Sequence, residues 1–202
     1  MKVLILAGGL GTRISEESHL KPKPMIEIGE MPILWHIMKY YSSYGFHEFI
    51  ILAGYKQYLI KEYFANYFLH NADITFDMSN NQMEVHQNAS ENWKVTVVDT
   101  GLRTMTGGRI RRVRSYLKGE RFMLTYGDGV SDVDLRKLLA FHESAGKTAT
   151  ITTVNLAQQK GVLDLSSDGR IRAFREKEES DGAVINGGFM VFEPGIFDYL
   201  EG

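Results

Sequence analysis

The chain opens MKVLILAGGLGTR, and its first strand constrains the fold more than any other stretch. Lys2 to Ala7 (KVLILA) is an unbroken apolar run with no polar alternation. Such a run is expected where a strand is covered on both faces, as in a parallel sheet flanked by helices. It leads directly into a glycine-rich turn at Gly8, Gly9 and Gly11.

The next segments repeat the alternation. Pro32 opens PILWHIMKYYSSYG, with apolar residues at 33, 34, 37, 38, 41 and 44 at helical spacing. Pro32 suits the first helical turn and Gly45 the stop. Glu48 to Ala53 (EFIILA) reads as a second buried strand. A further helix follows, with Leu59, Ile60, Tyr63, Phe64, Tyr67 and Phe68 on one face. Residues 71–100 break the rhythm with alternating strands, read as an excursion that returns to the sheet. Thr106 to Leu117 reads as one basic helix and Arg121 to Tyr126 as another buried strand. Then come a helix carrying Leu135, Leu138, Leu139 and His142, the strand ATITTV, and a hairpin turned at Ser167-Asp168-Gly169. The last elements are the strand Ala183 to Phe192 and a short final helix running to the end of the chain. The expected class is α/β: a doubly wound, mixed but mainly parallel sheet, helices on both faces and small β-hairpin excursions.

Composition removes several function classes. There is no Cys among 202 residues, which excludes disulfides, thiolate metal sites and thiol catalysis. A formal net charge of −2 argues against binding nucleic acid through bulk charge. No apolar run reaches membrane-spanning length, and MKVLILAGG is too short for a signal peptide. A cytoplasmic protein is expected. The six histidines lack metal-site spacing, and His36, inside an apolar helix pattern, reads as a satisfied core or rim residue.

Four stretches carry chemistry. In AGGLGTR the glycines let backbone N–H groups approach a phosphate, although a tight strand exit would also use them. A dinucleotide fingerprint requires G-x-G-x-x-G; Gly9 and Gly11 fit, but the last position is Ile14. No Walker string occurs. Arg13 supplies a guanidinium shaped for a polyphosphate. In KPKP the prolines push Lys21 and Lys23 toward extended backbone, so the two side chains diverge and one, Lys23, is expected to face a ligand. Asp128 in YGDG follows a buried strand, where open α/β sheets place ligands, and suits either a Mg²⁺ contact or an ordinary Asp-Gly turn. Glu176, Lys177, Asn186 and Gly187 lie near the end of the chain, where Glu and Asn suit hydroxyl groups and Lys a phosphate.

Taken in order, LAGGLGTR, KPKPM, GDG, EK and NGG resemble the sugar-1-phosphate nucleotidyltransferases. The strings YFANYFLH, VVDTG, MTGGR, TYGDGV and INGGF resemble the members of that family that join CTP to α-D-glucose 1-phosphate, releasing pyrophosphate and CDP-glucose for surface polysaccharides such as O-antigen. The resemblance covers essentially residues 1–202. It implies a Rossmann-like sheet, Mg²⁺ and a homo-oligomer. It further implies that Leu6, Ala7, Gly8, Gly9, Gly11 and Thr12 hold the nucleotide, and that Arg13 neutralises the departing pyrophosphate. Lys23 would contact the reacting phosphate, and Thr104, Thr106 and Arg109 would lie against the base. Asp128 would bind Mg²⁺ beside Gly127, and Glu176, Lys177, Asn186 and Gly187 would face the sugar phosphate. EKEE stands where the family writes EKP, and Lys160 where a phenylalanine is common.

The same resemblance implies a further C-terminal segment, about a quarter again of the chain, with a second metal-binding Asp. Residues 1–202 are therefore expected to be a single nucleotidyltransferase domain lacking that segment. Alternatives are a thymidylyl or uridylyl member of the family, or a nucleotide-binding module without catalysis. A dinucleotide oxidoreductase is disfavoured by the missing third glycine.

Overall fold

The computed structural model describes residues 1–9, 21–156, 162–166, 170–175 and 183–201. The strands are β1 (Lys2–Ala7), β2 (Glu27–Ile28), β3 (Met31–Pro32), β4 (Glu48–Ala53), β5 (Ala72–Asp77), β6 (Gln82–Asn88), β7 (Lys94–Asp99), β8 (Phe122–Tyr126), β9 (Ala149–Leu156), β10 (Val162–Leu165), β11 (Ile171–Arg175) and β12 (Ala183–Phe192). The α-helices are α1 (Ile33–Ser43), α2 (Gln57–His70), α3 (Thr106–Arg112), α4 (Arg114–Leu117) and α5 (Leu135–Ala145). Short 3-10 turns occupy Lys23–Met25 and Pro194–Asp198.

A six-stranded sheet has the order β7-β4-β1-β8-β12-β9. The pairs β1/β4, β4/β7 and β1/β8 are parallel, and β12 runs antiparallel to β8. The expected doubly wound, mainly parallel α/β sheet is present. Alternate strand residues enter two cores, as a period of two requires. Val3, Ile5, Phe49, Ile51 and Met123 face α1, α2 and α5, meeting Leu34, Ile37, Met38, Ile60 and Leu135. Leu4, Ile50, Leu52, Phe122 and Leu124 face α3 and α4 on the other side, meeting Ile110, Val113 and Leu117. That two-sided burial is why KVLILA carries no polar alternation. Each such aliphatic side chain contributes about 1.5–3 kcal/mol on leaving water.

Helix limits follow local chemistry. Asp134 caps α5, its carboxylate accepting from the backbone N–H of Arg136 at 2.9 Å and Lys137 at 3.1 Å. Gly146 closes that helix at φ 58°. The excursion at 71–100 is the antiparallel hairpin β5/β6, after which β7 rejoins the sheet.

Three local expectations need correction. Pro32 precedes α1 with extended backbone and pairs with Glu27, so the helix begins one residue later. The single basic helix over 106–117 is two. At Val113 (φ −100°, ψ 9°) the bonding shifts to i+3, from Val113 N to Ile110 O and Tyr116 N to Val113 O. The β-branched Val113 lowers the preference for continuing the α-helix at that point. The final helix is a 3-10 turn that ends at Asp198.

The chain divides into two compact units, Met1–Thr150 with Phe189–Gly202, and Ile151–Gly188. The second contains the antiparallel β10/β11 hairpin; the turn expected at 167–169 lies outside the described residues. Among the described residues no helix is long and apolar enough to cross a membrane.

Ile51 is fully buried in the centre of β4, opposite Ile5 and Val97. Ile51→Ala is expected to lower stability by about 2–5 kcal/mol, the cost of a cavity between paired strands, as read from urea unfolding.

Candidate active site

The chain runs outward from β1 through β4 to β7, then returns to place β8 on the other side of β1. The carboxyl ends of β1 and β8 therefore flank the point where the strand order reverses, where doubly wound sheets hold ligands. A cleft of about 270 Å³ opens there. Leu6, Ala7, Gly8 and Gly9 form one wall, Lys23 and Asp128 another, and Thr104, Thr106 and Arg109 a third. Residues from four separate sequence regions thus meet in one concavity.

Glycines shape this cleft by the space they leave. Gly127 N donates to Leu6 O at 2.9 Å, extending the β1/β8 ladder by one step. A Cβ on Gly127 would stand 2.8 Å from Leu6 O and 2.9 Å from Pro24 Cγ. The missing side chain lets Pro24 sit against β8, and this seats Lys23 beside Asp128, with Nζ 3.6 Å from Oδ2. Gly9 differs: among the described residues a Cβ there meets nothing within 4 Å. Packing against the described residues does not require that glycine.

The two lysines of KPKP separate as expected, by a different route. Lys21 pairs with Glu27 at 2.5 Å on the exposed surface, while Lys23 turns into the cleft. Lys23 is not extended; it begins the 3-10 turn Lys23–Met25, closed by Met25 N to Pro22 O at 2.8 Å. The fixed φ of Pro24 suits that turn as well as it suits an extended chain, so the preference of a residue before proline for extended backbone is overridden.

Arg109 lies at the back of the cleft and is 5% exposed. Its Nη1 donates to Thr100 Oγ1 at 2.7 Å and to Ala53 O at 3.3 Å. Its Nη2 donates to Gly8 O at 2.9 Å and to Leu102 O at 3.2 Å. Burial first, and then the charge of Arg112, holds this guanidinium below the usual arginine range, with Asp99 acting in the opposite sense.

Other expected residues fall elsewhere. Gly11, Thr12, Arg13, Glu176 and Lys177 lie outside the described residues. Asn186 and Gly187 lie on β12 in the second unit. Asn186 Oδ1 accepts from Gly188 N at 2.9 Å, and a Cβ on Gly187 would stand 2.9 Å from Val154 Cγ2. His36 Nε2 lies 3.0 Å from Ile28 O, and buried His142 sits between Thr150 and Glu193.

Three lining residues escaped the sequence reading: Pro24, Met105 and Tyr126. Met105 is 81% exposed beside Thr104 and Thr106, and its signal was an apolar residue between two threonines at a helix start. Tyr126 ends β8 immediately before Gly127.

The nucleotidyl transferase family model matches residues 2–202. The glucose-1-phosphate cytidylyltransferase of Salmonella typhi is 56% identical over 202 residues, covering 100% of this chain and 78% of that protein. The probable glucose-1-phosphate cytidylyltransferase of Bacillus subtilis is 46% identical over 200 residues, covering 99% of this chain and 78% of that protein. Among solved structures, HddC from Yersinia pseudotuberculosis complexed with GMP-PN is similar with a TM-score of 0.64 and 25% identity, over 98% of this chain and 78% of that one.

Two glycine substitutions should separate packing from space. Gly127→Ala is expected to destabilise the fold by about 1–3 kcal/mol through overpacking against Pro24 and Leu6. Gly9→Ala should change stability by less than about 0.5 kcal/mol. Chemical denaturation of both variants checks the contrast.

Proposed function

The chain belongs to the nucleotidyl transferase family, and we propose that within it the chain forms CDP-glucose and pyrophosphate from CTP and α-D-glucose 1-phosphate. The observation that carries the reading is the cleft at the sheet's reversal point, where Lys23 and Asp128 stand together beside the open backbone of Gly9. The choice of CTP and glucose rests on the names of the Salmonella and Bacillus relatives.

The chemistry asks for positioning rather than a side-chain nucleophile. A phosphate oxygen of glucose 1-phosphate forms a bond to the α-phosphorus of CTP. The bond from that phosphorus to the bridging oxygen of the β-phosphate breaks in line, and pyrophosphate leaves. In this reading the backbone at Gly8 and Gly9 approaches the triphosphate, and Lys23 places its ammonium against the reacting phosphate. Arg13 neutralises the pyrophosphate as it departs, by the family resemblance. Thr104 and Thr106 lie toward the base, with Met105 offering an apolar surface between them. Glu176, Lys177, Asn186 and Gly187 serve the sugar phosphate.

Asp128 would hold Mg²⁺. Its half-exposed carboxylate is a hard oxygen donor in the cleft. Among the described residues no three His, Cys, Asp or Glu side chains converge on a metal position. A single carboxylate fits Mg²⁺, which takes one or two carboxylates and completes its shell with water and substrate phosphates. When bound, the ion supplies charge neutralisation of the phosphates.

We further propose assembly as a homo-oligomer. The β5/β6 hairpin pairs Phe76 with Met83, and both, with Val85, are exposed apolar side chains on a two-stranded ribbon that is marginal by itself. Light scattering giving a monomer mass at working concentration would remove this part of the proposal.

Pyrophosphate release with CTP, glucose 1-phosphate and Mg²⁺, run beside UTP and dTTP, tests the function. Release with CTP is expected; release only with UTP or dTTP would reassign the nucleotide, and none with folded protein would leave a binding module. Lys23→Ala should cost about 2–4 kcal/mol in transition-state stabilisation. Asp128→Asn should raise the Mg²⁺ needed for half-maximal rate, yet lower stability by less than about 1 kcal/mol, because the pair it breaks is partly solvated. A normal Mg²⁺ dependence in that variant would return Asp128 to a plain Asp-Gly turn.

A further inference from the structure

We propose that Arg109 is a positioning residue, a buried cation that clamps the ends of β1, β4 and β7 and thereby sets the shape of the nucleotide cleft. The inference rests on the nucleotide reading above and gives this arginine a role distinct from contact with the base.

The hydrogen-bond inventory points there first. A guanidinium carries five N–H groups in a rigid plane. Both terminal nitrogens of Arg109 are engaged by protein acceptors: Gly8 O after β1, Ala53 O at the end of β4, Thr100 Oγ1 after β7, and Leu102 O in the following loop. Only Nε–H is left for anything else. A side chain so engaged holds backbone, and the backbone it holds forms the cleft wall.

The glycine pattern is a second, independent observation. A Cβ on Gly8 would stand 2.0 Å from Arg109 Nη1 and 2.3 Å from Cζ. A Cβ on Gly54 would stand 2.7 Å from the same Nη1. Gly8 is thus required by this side chain, and Gly54 by it together with the carbonyl oxygens of Gly8 at 2.8 Å and Gly101 at 3.0 Å. Gly8 serves the phosphate turn by admitting the guanidinium beneath it; at Gly9, where among the described residues nothing stands within 4 Å of a Cβ, the position is left for a ligand.

Charge is the third. All four acceptors are neutral oxygens, and among the described residues no carboxylate forms an ion pair with Arg109. A buried cation without a counter-ion is costly in the free protein. An anion entering the adjacent cleft offsets that cost, so the charge that burdens the empty site favours the occupied one. The clamp and the charge act in the same direction, because the guanidinium that fixes Gly8 O also places a permanent positive charge behind the turn.

A double-mutant cycle tests this, read as CTP affinity by calorimetry in the presence of Mg²⁺, on variants whose folding is checked by circular dichroism. Arg109→Lys keeps the charge but cannot span four acceptors, and is expected to weaken CTP binding about tenfold, or about 1.4 kcal/mol. Gly8→Ala is expected to weaken it similarly. Combined with Arg109→Ala, which removes the clashing atoms, Gly8→Ala should cost no more than about twofold further. If Arg109→Ala does not fold, Arg109→Val, whose side chain also stops short of the clashing Cζ and Nη1 positions, closes the same cycle. Full additivity of Gly8→Ala and the Arg109 variant overturns the proposal, since a residue that only touched ligand would act independently of Gly8. Undiminished affinity in Arg109→Lys also overturns it. Wild-type protein that binds no CTP removes the proposed function and this inference together, which separates that failure from the other two.

Discussion

The placement of β1 between two parallel neighbours is the constraint on which the rest depends. Its residues pair with β4 on one side and β8 on the other, and its side chains alternate into two separate cores. A strand held in this way has no freedom of register, because a slip by one residue would exchange the two faces and misalign both ladders. Its carboxyl end is therefore a fixed point. The glycine turn departs from that point, and the ligand cleft is where the strand order reverses around it.

Around that fixed point the cleft is built largely by omission. Gly8 admits a guanidinium, Gly127 admits a proline ring, and Gly54 admits both Arg109 and the carbonyl of Gly8. In each case the missing Cβ lets a distant part of the chain reach the strand ends at van der Waals distance. The Gly127 and Pro24 contact shows the consequence: without it Lys23 would have no reason to stand near Asp128, 105 positions away in sequence by the difference of their numbers. Glycines that read as a phosphate motif therefore do two kinds of work. Some accept protein, and Gly9 leaves space among the described residues.

Legibility in the sequence followed the range of the interactions. Strands buried on both faces were readable because apolar continuity is a local signal; β4 and β12 begin and end where EFIILA and AVINGGFMVF suggested. The lysine assignment also came out of local chemistry, although Lys23 reaches the cleft through a 3-10 turn rather than an extended one. The break at Val113 was not readable, since the residues on either side all favour or tolerate helix and the change lies in one ψ angle. The geometry of Arg109 was least readable. Its partners are main-chain oxygens and one hydroxyl, separated from it by 101, 56, 9 and 7 positions, and carbonyl groups carry no residue-type signature.

Among the described residues the cleft holds two cations of opposite character, and the difference bears on how it would meet an anionic substrate. Arg109 is held in place by four acceptors and cannot follow a ligand. Lys23 has a flexible stem and one carboxylate partner at 3.6 Å, a separation at which a half-solvated pair contributes little. Such a pair exchanges readily. In the proposed reaction a phosphate competing for the ammonium would free Asp128, and a divalent ion competing for the carboxylate would free Lys23, so that binding at either group would prepare the other. A fixed charge that shapes the site and a mobile one that can change partner divide between them two requirements that a single side chain would meet poorly: a preorganised wall and a charge that can move to the reacting phosphate.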